Sequence, residues 1–350
     1  MPLAYASRSG FCLNSKSSPM TFPPAQIGPI TLKHPAIQAA LSGYSDWSQR
    51  KIAQRMGAAA TISEVMLDEF ILSVTKGRKA RRYLRVDADD HQVGAQLMGC
   101  TAEEFAAAAQ KVRAWGFDWV DINFGCPVKK VLGRRRGGFH LSAPKTALEI
   151  VARVREVTPA EIPVSVKMRR GIDDSAESRD KFFEIFDGVR SLGIRIFTVH
   201  PRTVLQRYEG PSDWRFLREL ADYAPDVTIF GSGDLFTAAD CVRMMETTGV
   251  HGVTVARGGI GNPWIFRELE AIFAGKPLPE PPDVAEQKDV IEAHYALAAE
   301  IYGEKHAVST MKKFCMKYCT RHPEMEAVRE AFITAKDKGE WEEVLRKFYI

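Results

Sequence analysis

The chain has 350 residues, of which 45% are hydrophobic and 26% are charged, a balance typical of a globular protein with a full core. No apolar run reaches the roughly 18 residues of a transmembrane helix, so no such helix is expected. The formal net charge of +4 is too small, by itself, to identify a polyanion as the partner.

The chain begins with a segment that lacks the continuous apolar stretch of a signal peptide. We therefore expect an extended or disordered tail over residues 1–20. After it, short β-rich runs alternate with helical patterns such as Thr101–Trp115, Ala143–Val157, Ala176–Leu192 and Thr237–Thr248, as in parallel α/β folds. The candidate strands are Pro35–Leu41, Ala58–Val65, Gln92–Met98, Trp119–Phe124, Val164–Met168, Ile194–His200, Val227–Phe230 and Val250–Ala256.

Eight strands with intervening helices favour a TIM (β/α)₈ barrel, which takes about 250 residues. An open, doubly wound sheet is the alternative. Glycines that tolerate the left-handed conformation are predicted to end several helices just before the next strand: Gly57, Gly116, Gly193 and Gly249.

The segment Gly275–Asp283 holds four prolines, which break both helix and strand, and it is interpreted as a linker. From Val284 to Ile350 the spacing is helical throughout. The predicted organisation is a tail over 1–20, a TIM barrel catalytic domain over 21–275, and a small all-helical domain over 284–350.

The six cysteines form no CxxC pair, which indicates free thiols and a reducing, cytoplasmic location. Cys315 and Cys319 lie four residues apart on a predicted helix. A metal pair is conceivable there, but no further ligand cluster supports it, so core packing is favoured and no metal site is predicted.

In a TIM barrel the active site lies at the carboxyl ends of the strands. Glycine-rich segments follow the last two predicted strands, at Ser232–Asp234 and Ala256–Gly259. Backbone N–H groups in such segments approach an anion closely, and Arg257 adds a bidentate donor, so a phosphate site is predicted. The alternative is that these glycines only form tight turns.

Three further strand ends carry reactive side chains. Lys167 ends the fifth strand, where it is interpreted as a partner for a reduced flavin, a Schiff-base lysine or a member of a structural salt bridge. Cys126 follows the fourth strand in DINFGCPVKK, and it is either reactive or a buried inert thiol. His200 ends the sixth strand, where it contacts a cofactor or simply packs.

Basic clusters without acidic residues recur along the chain, at Lys76–Arg85, Lys129–Arg136, Arg169–Arg170 and Lys305–Arg321. The first three fall in predicted loops on the active face. Basic loops that converge on one face suit a polyanion such as RNA, although each cluster alone is an ordinary solvated surface.

The stretches DINFGCPVKKV, VSVKMRRGIDD, VHPRTVLQRYEGPSDW, GSGD and RGGIGNPWIFREL occur in this order. In these stretches the chain resembles the tRNA-dihydrouridine synthases, closest to their bacterial branch. The resemblance is strong over Pro35–Leu269. It implies an FMN-binding barrel and a helical domain that together bind tRNA, with NADPH as reductant. No obligate protein partner is inferred from the sequence.

The resemblance also implies residue roles. Cys126 matches the proton donor of the family. The FMN contacts correspond to Ala40, Leu41, Ser42, Gln96, Asn123, Lys167, His200, Ser232, Gly233, Asp234, Ala256 and Arg257. The basic residues expected to contact RNA are Lys129, Lys130, Arg134, Arg135, Arg136, Arg169, Arg202, Lys312, Lys313 and Lys317.

The sequence departs from the family pattern at four places. It has Ala40–Gly43 for Pro-Met-Ala-Gly, Ser232 for Asn, Ala256 for Gly, and Arg136–Phe139 for Gly-Ala-Gly-Ser. The first three exchange small residues or affect contacts made through the backbone, so FMN binding is expected to survive. The fourth borders the expected substrate loop.

By the resemblance, uridine receives a hydride from reduced FMN at C6 and a proton from Cys126 at C5, which is general-acid catalysis by a thiol. Three rival readings remain at the level of the sequence: an FMN-dependent reductase of a free pyrimidine or other small enone, a non-catalytic RNA-binding protein, and an aldolase-like lyase that uses Lys167.

Overall fold

The structure is a computed structural model that describes residues 22–90 and 92–350. The tail predicted over residues 1–20, and with it Cys12, lies outside the described residues. The described part begins near a short antiparallel hairpin, in which Gln26–Ile27 pairs with Ile30–Thr31. Apolar residues of this hairpin pack with Trp119 and Phe230. The hairpin therefore covers the amino-terminal end of the barrel, opposite the strand ends where an active site is expected.

Eight parallel strands of the described chain form a closed barrel, because the first strand pairs with both the second and the eighth, and the second pairs with the third. This closure confirms the predicted TIM barrel and excludes the doubly wound sheet. The strands are β1 (Ala36–Gln38), β2 (Ala60–Ile62), β3 (Val93–Met98), β4 (Trp119–Phe124), β5 (Val164–Arg169), β6 (Ile196–His200), β7 (Thr228–Gly231) and β8 (Gly252–Val255).

The helices surround the barrel and continue beyond it. They are α1 (Trp47–Arg55), α2 (Asp68–Ser73), α3 (Gly77–Tyr83), α4 (Ala102–Ala114), α5 (Lys129–Leu132), α6 (Pro144–Val157), α7 (Ala176–Ser191), α8 (Trp214–Tyr223), α9 (Ala238–Thr248), α10 (Trp264–Phe273), α11 (Val284–Tyr302), α12 (Glu304–Tyr318), α13 (Met325–Thr334) and α14 (Lys338–Phe348). Short 3₁₀ turns lie at Gly137–Ser142, Arg257–Gly259 and Cys319–Arg321.

The predicted bounds of β4 are matched residue for residue, whereas β1 and β2 are shorter than predicted. The second predicted strand, Ala58–Val65, breaks after Ile62. There the N–H of Glu64 bonds to the carbonyl of Ser45 instead of continuing the ladder, at 2.7 Å. The chain then forms a separate short strand, Met66–Leu67, that pairs with the end of β3.

The glycine positions predicted to end helices adopt the left-handed conformation, with φ of 99° at Gly57, 93° at Gly116, 83° at Gly193 and 74° at Gly249. A residue with a Cβ pays a steric penalty in this region, so these glycines let each chain turn directly into the next strand.

The four helices after the proline-rich segment pack around a second apolar core that contains Tyr318, Phe332 and Trp341. This core also includes Trp47 from α1 and Trp264 from α10, so the helical bundle (residues 284–350) shares buried surface with the barrel. Cys315 and Cys319 are fully buried in it. In residues 22–90 and 92–350, no helix is both long and apolar enough to cross a membrane.

Candidate active site

A cavity opens at the carboxyl ends of the strands and encloses about 1150 Å³ of empty space, its open mouth included. The structure brings Cys126 and all the predicted cofactor-binding residues to the wall of this cavity, although they come from seven different strand ends. Those residues are Ala40, Leu41, Ser42, Gln96, Asn123, Lys167, His200, Ser232, Gly233, Asp234, Ala256 and Arg257.

A chain of hydrogen bonds leads from the barrel interior to the loop that carries Cys126. Gln96 Nε2 donates to Asp121 Oδ2 at 2.6 Å, and Asn123 Nδ2 donates to Gln96 Oε1 at 2.7 Å. Asn123 Oδ1 then accepts from the backbone N–H groups of Gly125, at 2.9 Å, and Cys126, at 3.1 Å. Because a carboxylate only accepts hydrogen bonds, Asp121 orients both amides in the same sense.

Asp121 was not selected from the sequence, although strand register explains its place. It pairs with Gln96 on β3 and with Ser165 on β5, and Ser165 Oγ donates to Asp121 Oδ1 at 2.6 Å. Burial raises the pKa of Asp121 to about 6, against the hydrogen bonds from Ser165 and Gln96 and the charge of Lys167. Alternation along DINF was the available signal, since residues two apart on a strand face the same side.

Lys167 places an ammonium group in the cavity interior. Its Nζ is buried and has no hydrogen-bond partner among the described residues. Burial lowers the pKa of this ammonium to about 8, while the charge of Asp121 opposes the shift and that of Arg169 adds to it. A buried, unsatisfied ammonium is costly, so the structural salt bridge is not the role that the geometry favours.

Cys126 is half-buried, and two glycines pack against its loop. Gly137 has φ of 58°, and a Cβ placed there would come within 2.8 Å of the Cys126 Cβ. The N–H of Gly138 donates to the Cys126 carbonyl at 3.1 Å. Burial raises the pKa of the Cys126 thiol above its ordinary value, although the Val128 N–H and the charge of Arg169 oppose this shift. The thiol is therefore protonated at neutral pH.

His200 faces a strongly positive part of the cavity. Burial holds its pKa well below the ordinary value, and the charges of Arg169, Lys167, Arg202 and Arg257 add to this effect. The imidazole is therefore neutral at physiological pH. Its Nε2 accepts a hydrogen bond from Arg202 Nη1 at 3.3 Å, because a guanidinium only donates, so Nδ1 carries the ring proton.

The loops after β7 and β8 form a cradle with little room for side chains. Gly233 has φ of 107°, and a Cβ at Gly258 would lie 2.1 Å from the carbonyl oxygen of Leu235. Arg202 donates to both carboxylate oxygens of Asp234, at 2.8 and 2.7 Å. Burial opposes ionisation of Asp234, yet its pKa is lowered because Ser212 and Arg202 donate hydrogen bonds to it. The half-exposed guanidinium of Arg257 lies 3.6 Å from Asp234.

The ten basic residues expected to contact RNA fall into three groups. Lys129, Lys130, Arg134, Arg135 and Lys317 are exposed, whereas Lys312 and Lys313 are half-buried. The remaining three, Arg136, Arg169 and Arg202, are buried and bonded to protein groups, so the structure does not bring them to the surface.

The buried arginines hold loops around the cavity. Arg169 donates to the carbonyls of Gly125, at 3.1 Å, and of Thr203 and Arg207, both at 2.7 Å. Arg136 pairs with Glu69 at 2.8 Å. Arg169 thereby ties the loop of Cys126 to the loop after β6.

The model of the family described as "Dihydrouridine synthase (Dus)" matches residues 37–349, which is nearly the whole described chain. The chain belongs to the dihydrouridine synthase family. The predicted family and enzyme class are thereby confirmed.

Relatives of the dihydrouridine synthase family share about a third of their residues with this chain. A protein from Mycobacterium tuberculosis named "Probable tRNA-dihydrouridine synthase" is 32% identical over 322 residues, 90% of this chain and 82% of that protein. One of the same name from Rickettsia conorii is 31% identical and covers 93% of this chain and 96% of its own length. "Probable tRNA-dihydrouridine synthase 1" from Synechocystis is 29% identical over 92% and 88%.

Solved structures share the barrel of this dihydrouridine synthase family member at low identity. Morphinone reductase in complex with tetrahydroNAD matches with a TM-score of 0.51 and 16% identity, over 76% of this chain and 93% of that one. Histamine dehydrogenase from Rhizobium sp. 4-9 matches with a TM-score of 0.55 and 13% identity, over 79% of this chain and 50% of that one. At these identities the likeness shows the fold alone.

Proposed function

We propose that this protein reduces specific uridines of tRNA to 5,6-dihydrouridine in the cytoplasm, with FMN as cofactor, NADPH as reductant and no protein partner required. One observation carries the proposal: a thiol kept protonated by burial shares a cavity with a buried lysine whose Nζ has no hydrogen-bond partner within residues 22–90 and 92–350. Family membership supplies the reaction type, and the names of the relatives supply tRNA as the substrate.

The residues of the cavity fit a flavin. The buried Nζ of Lys167 and Oγ1 of Thr254 have no hydrogen-bond partner among the described residues, and both residues line the cavity. They are suited to the polar edge of the ring system. Gly233, which has no side chain, and the half-exposed guanidinium of Arg257 both line the cavity, and together they suit the phosphate group of the cofactor. Gln96, Asn123 and His200 add donors and acceptors along the wall.

When bound and reduced by NADPH, FMN supplies the hydride that C6 of the uracil ring receives. Cys126 supplies the proton for C5, so one hydride and one proton saturate the C5=C6 bond. General-acid transfer requires a protonated thiol at neutral pH, and burial provides it. Asn123 holds the backbone of Cys126, and Lys167 presents positive charge to the interior of the cavity.

A uridine must leave its stack to enter the cavity, at a cost of a few kcal/mol. We assign compensation of this cost to phosphate contacts of the exposed basic residues. Lys129, Lys130, Arg134 and Arg135 lie directly after β4, beside the loop of Cys126, and Lys317 lies on α12. Arg136, Arg169 and Arg202 support loops in this proposal, because their guanidinium groups are bonded within the protein.

Mass-spectrometric mapping of dihydrouridine tests the proposal. tRNA from cells that lack this gene, incubated with the purified protein, FMN and NADPH, should gain two mass units at defined uridines. A flavin-containing protein that reduces free uracil or a small enone but leaves tRNA unchanged would instead support the small-molecule reductase. A protein that binds no flavin would refute both.

A further inference from the structure

The loop after β1 joins the cavity to the helical bundle, and both backbone polar groups of Gly43 are held by side chains from elsewhere. The Gly43 N–H donates to Glu64 Oε1 at 2.5 Å. The Gly43 carbonyl accepts a hydrogen bond from Nζ of Lys313 on α12. Gly43 has φ of 79°, so the chain turns sharply between these two anchors.

Two aromatic rings lie beside the ammonium group of Lys313. Its Nζ lies 5.3 Å from the ring centre of Tyr44 and 5.0 Å from that of Phe314, and the two rings meet edge to face at 5.5 Å. Cation–π attraction adds to the hydrogen bond. Lys317, one turn further along α12, is exposed instead. Two lysines of one basic cluster therefore face different surroundings.

A second tie between the bundle and the same loop lies at Tyr302, at the end of α11. Tyr302 Oη donates to Asp46 Oδ2 at 2.6 Å, and Asp46 also caps α1 by accepting from the Gln49 N–H at 3.0 Å. The Arg82 guanidinium lies 5.7 Å from the Tyr302 ring and pairs with Glu64 at 2.8 Å. Glu64 is the residue that holds the Gly43 N–H, so the two ties share one charged network.

The held loop is also a wall of the cavity. Ala40, Leu41 and Ser42 line it directly before Gly43. Within the loop, the Leu41 N–H donates to Ser45 Oγ at 2.6 Å and the Tyr44 N–H donates to the Leu41 carbonyl at 2.9 Å. A displacement of Gly43 therefore moves residues that face the cavity.

We propose that Lys313 and Tyr302 are positioning residues through which the helical bundle shapes the wall of the cofactor cavity. This inference rests on the proposed function, because it treats the cavity as the FMN site. It assigns Lys313 to cofactor binding and leaves Lys317 as a contact of RNA. The bundle then serves the flavin as well as the nucleic acid.

Lys313→Met in the full-length holoenzyme tests the inference, with Lys317→Met as the matched control on the same helix. If the loop keeps its binding conformation only a tenth of the time without Lys313, the apparent FMN dissociation constant rises about tenfold. Flavin fluorescence on dilution measures that constant. The salt dependence of tRNA binding should stay at the wild-type slope in Lys313→Met and become shallower in Lys317→Met.

Two further variants complete the design. Tyr302→Phe removes only a hydroxyl group and should also weaken FMN binding severalfold, so it carries the test if Lys313→Met does not fold. Lys313→Arg, which still donates to the Gly43 carbonyl, should restore most of the affinity. Wild-type FMN affinity in Lys313→Met, or in Tyr302→Phe where Lys313→Met does not fold, would overturn the inference, as would a shallower salt slope in Lys313→Met. A wild-type protein that binds no FMN would instead overturn the proposed function itself.

Discussion

Asn123 Oδ1 accepts the backbone N–H of Cys126 at 3.1 Å, and the same oxygen accepts the N–H of Gly125 at 2.9 Å. Two N–H groups on one acceptor hold the turn that carries the thiol. The position of the sulfur therefore depends on the side chain of a residue inside β4, which Gln96 and Asp121 orient in turn.

Asn123→Ala should lower the turnover number about 10- to 100-fold and change KM for tRNA little, because a displaced acid affects the chemical step more than binding. Alkylation of Cys126 by iodoacetamide, followed by mass spectrometry, should be faster in the variant, since the loop opens more often. Ser165→Ala is the control, because Ser165 contacts Asp121 without holding the loop. Unchanged turnover and an unchanged alkylation rate in Asn123→Ala would show that the hydrogen bond from the Cys126 N–H to Asn123 does not contribute to catalysis.

Cys126→Ala should retain bound, yellow FMN and lose about 100- to 10,000-fold in dihydrouridine formation, the usual contribution of a general acid. NADPH should still reduce its flavin at the wild-type rate, as measured by bleaching of the visible absorption. Cys100→Ala, at another half-buried free thiol, should behave as wild type. Full turnover by Cys126→Ala would reject the acid role.

FMN affinity should depend on pH through Lys167. Burial lowers the pKa of this lysine to about 8 in the cofactor-free protein, so it is charged below that pH and neutral above it. A bound flavin offers acceptors to the charged form, which raises the pKa in the complex. Affinity is then constant below about pH 8 and falls as pH rises further. Titration of the Lys167→Met variant with FMN at several pH values should show weaker binding that does not decline above about pH 8. An identical pH dependence of FMN affinity in wild type and variant would contradict this role of Lys167.

Arg134→Ala should weaken tRNA binding and reduce the slope of log K against log salt by roughly 0.7 to 0.9, the effect of one lost phosphate contact. Filter binding at several salt concentrations measures this slope. Arg113→Ala is the control, since Arg113 is also exposed but lies in the last turn of α4, near the amino-terminal end of the barrel. Equal slopes in wild type and Arg134→Ala would show that Arg134 does not contact the RNA phosphates.

Much of the barrel follows from local pattern. Buried parallel strands give continuous apolar runs, and glycines in the left-handed conformation mark where helices end. The order of the elements and the ends of the strands can therefore be predicted from the sequence. The bounds of β2 were less predictable, because Glu64 leaves the ladder to bond with the loop after β1.

The cavity wall was also predictable, since residues at strand ends meet on one face of a barrel. The surroundings of the basic residues were not. The sequence predicts solvent-exposed charges at Arg169 and Lys313. In the structure, Arg169 donates to the backbone carbonyl of Arg207 and Lys313 to that of Gly43, both distant along the chain. Composition and spacing carry no information about such long-range acceptors.

The bundle core that includes Trp47 and Trp264 has a consequence for any attempt to divide the protein. A shortened polypeptide that stops in the proline-rich segment would leave both indoles facing water, along with the neighbouring Ile52. Such a fragment exposes a contiguous apolar patch. It should self-associate or precipitate, because large exposed apolar patches drive aggregation. The barrel and the helical bundle are therefore expected to stay folded and dispersed only when they are expressed as one polypeptide.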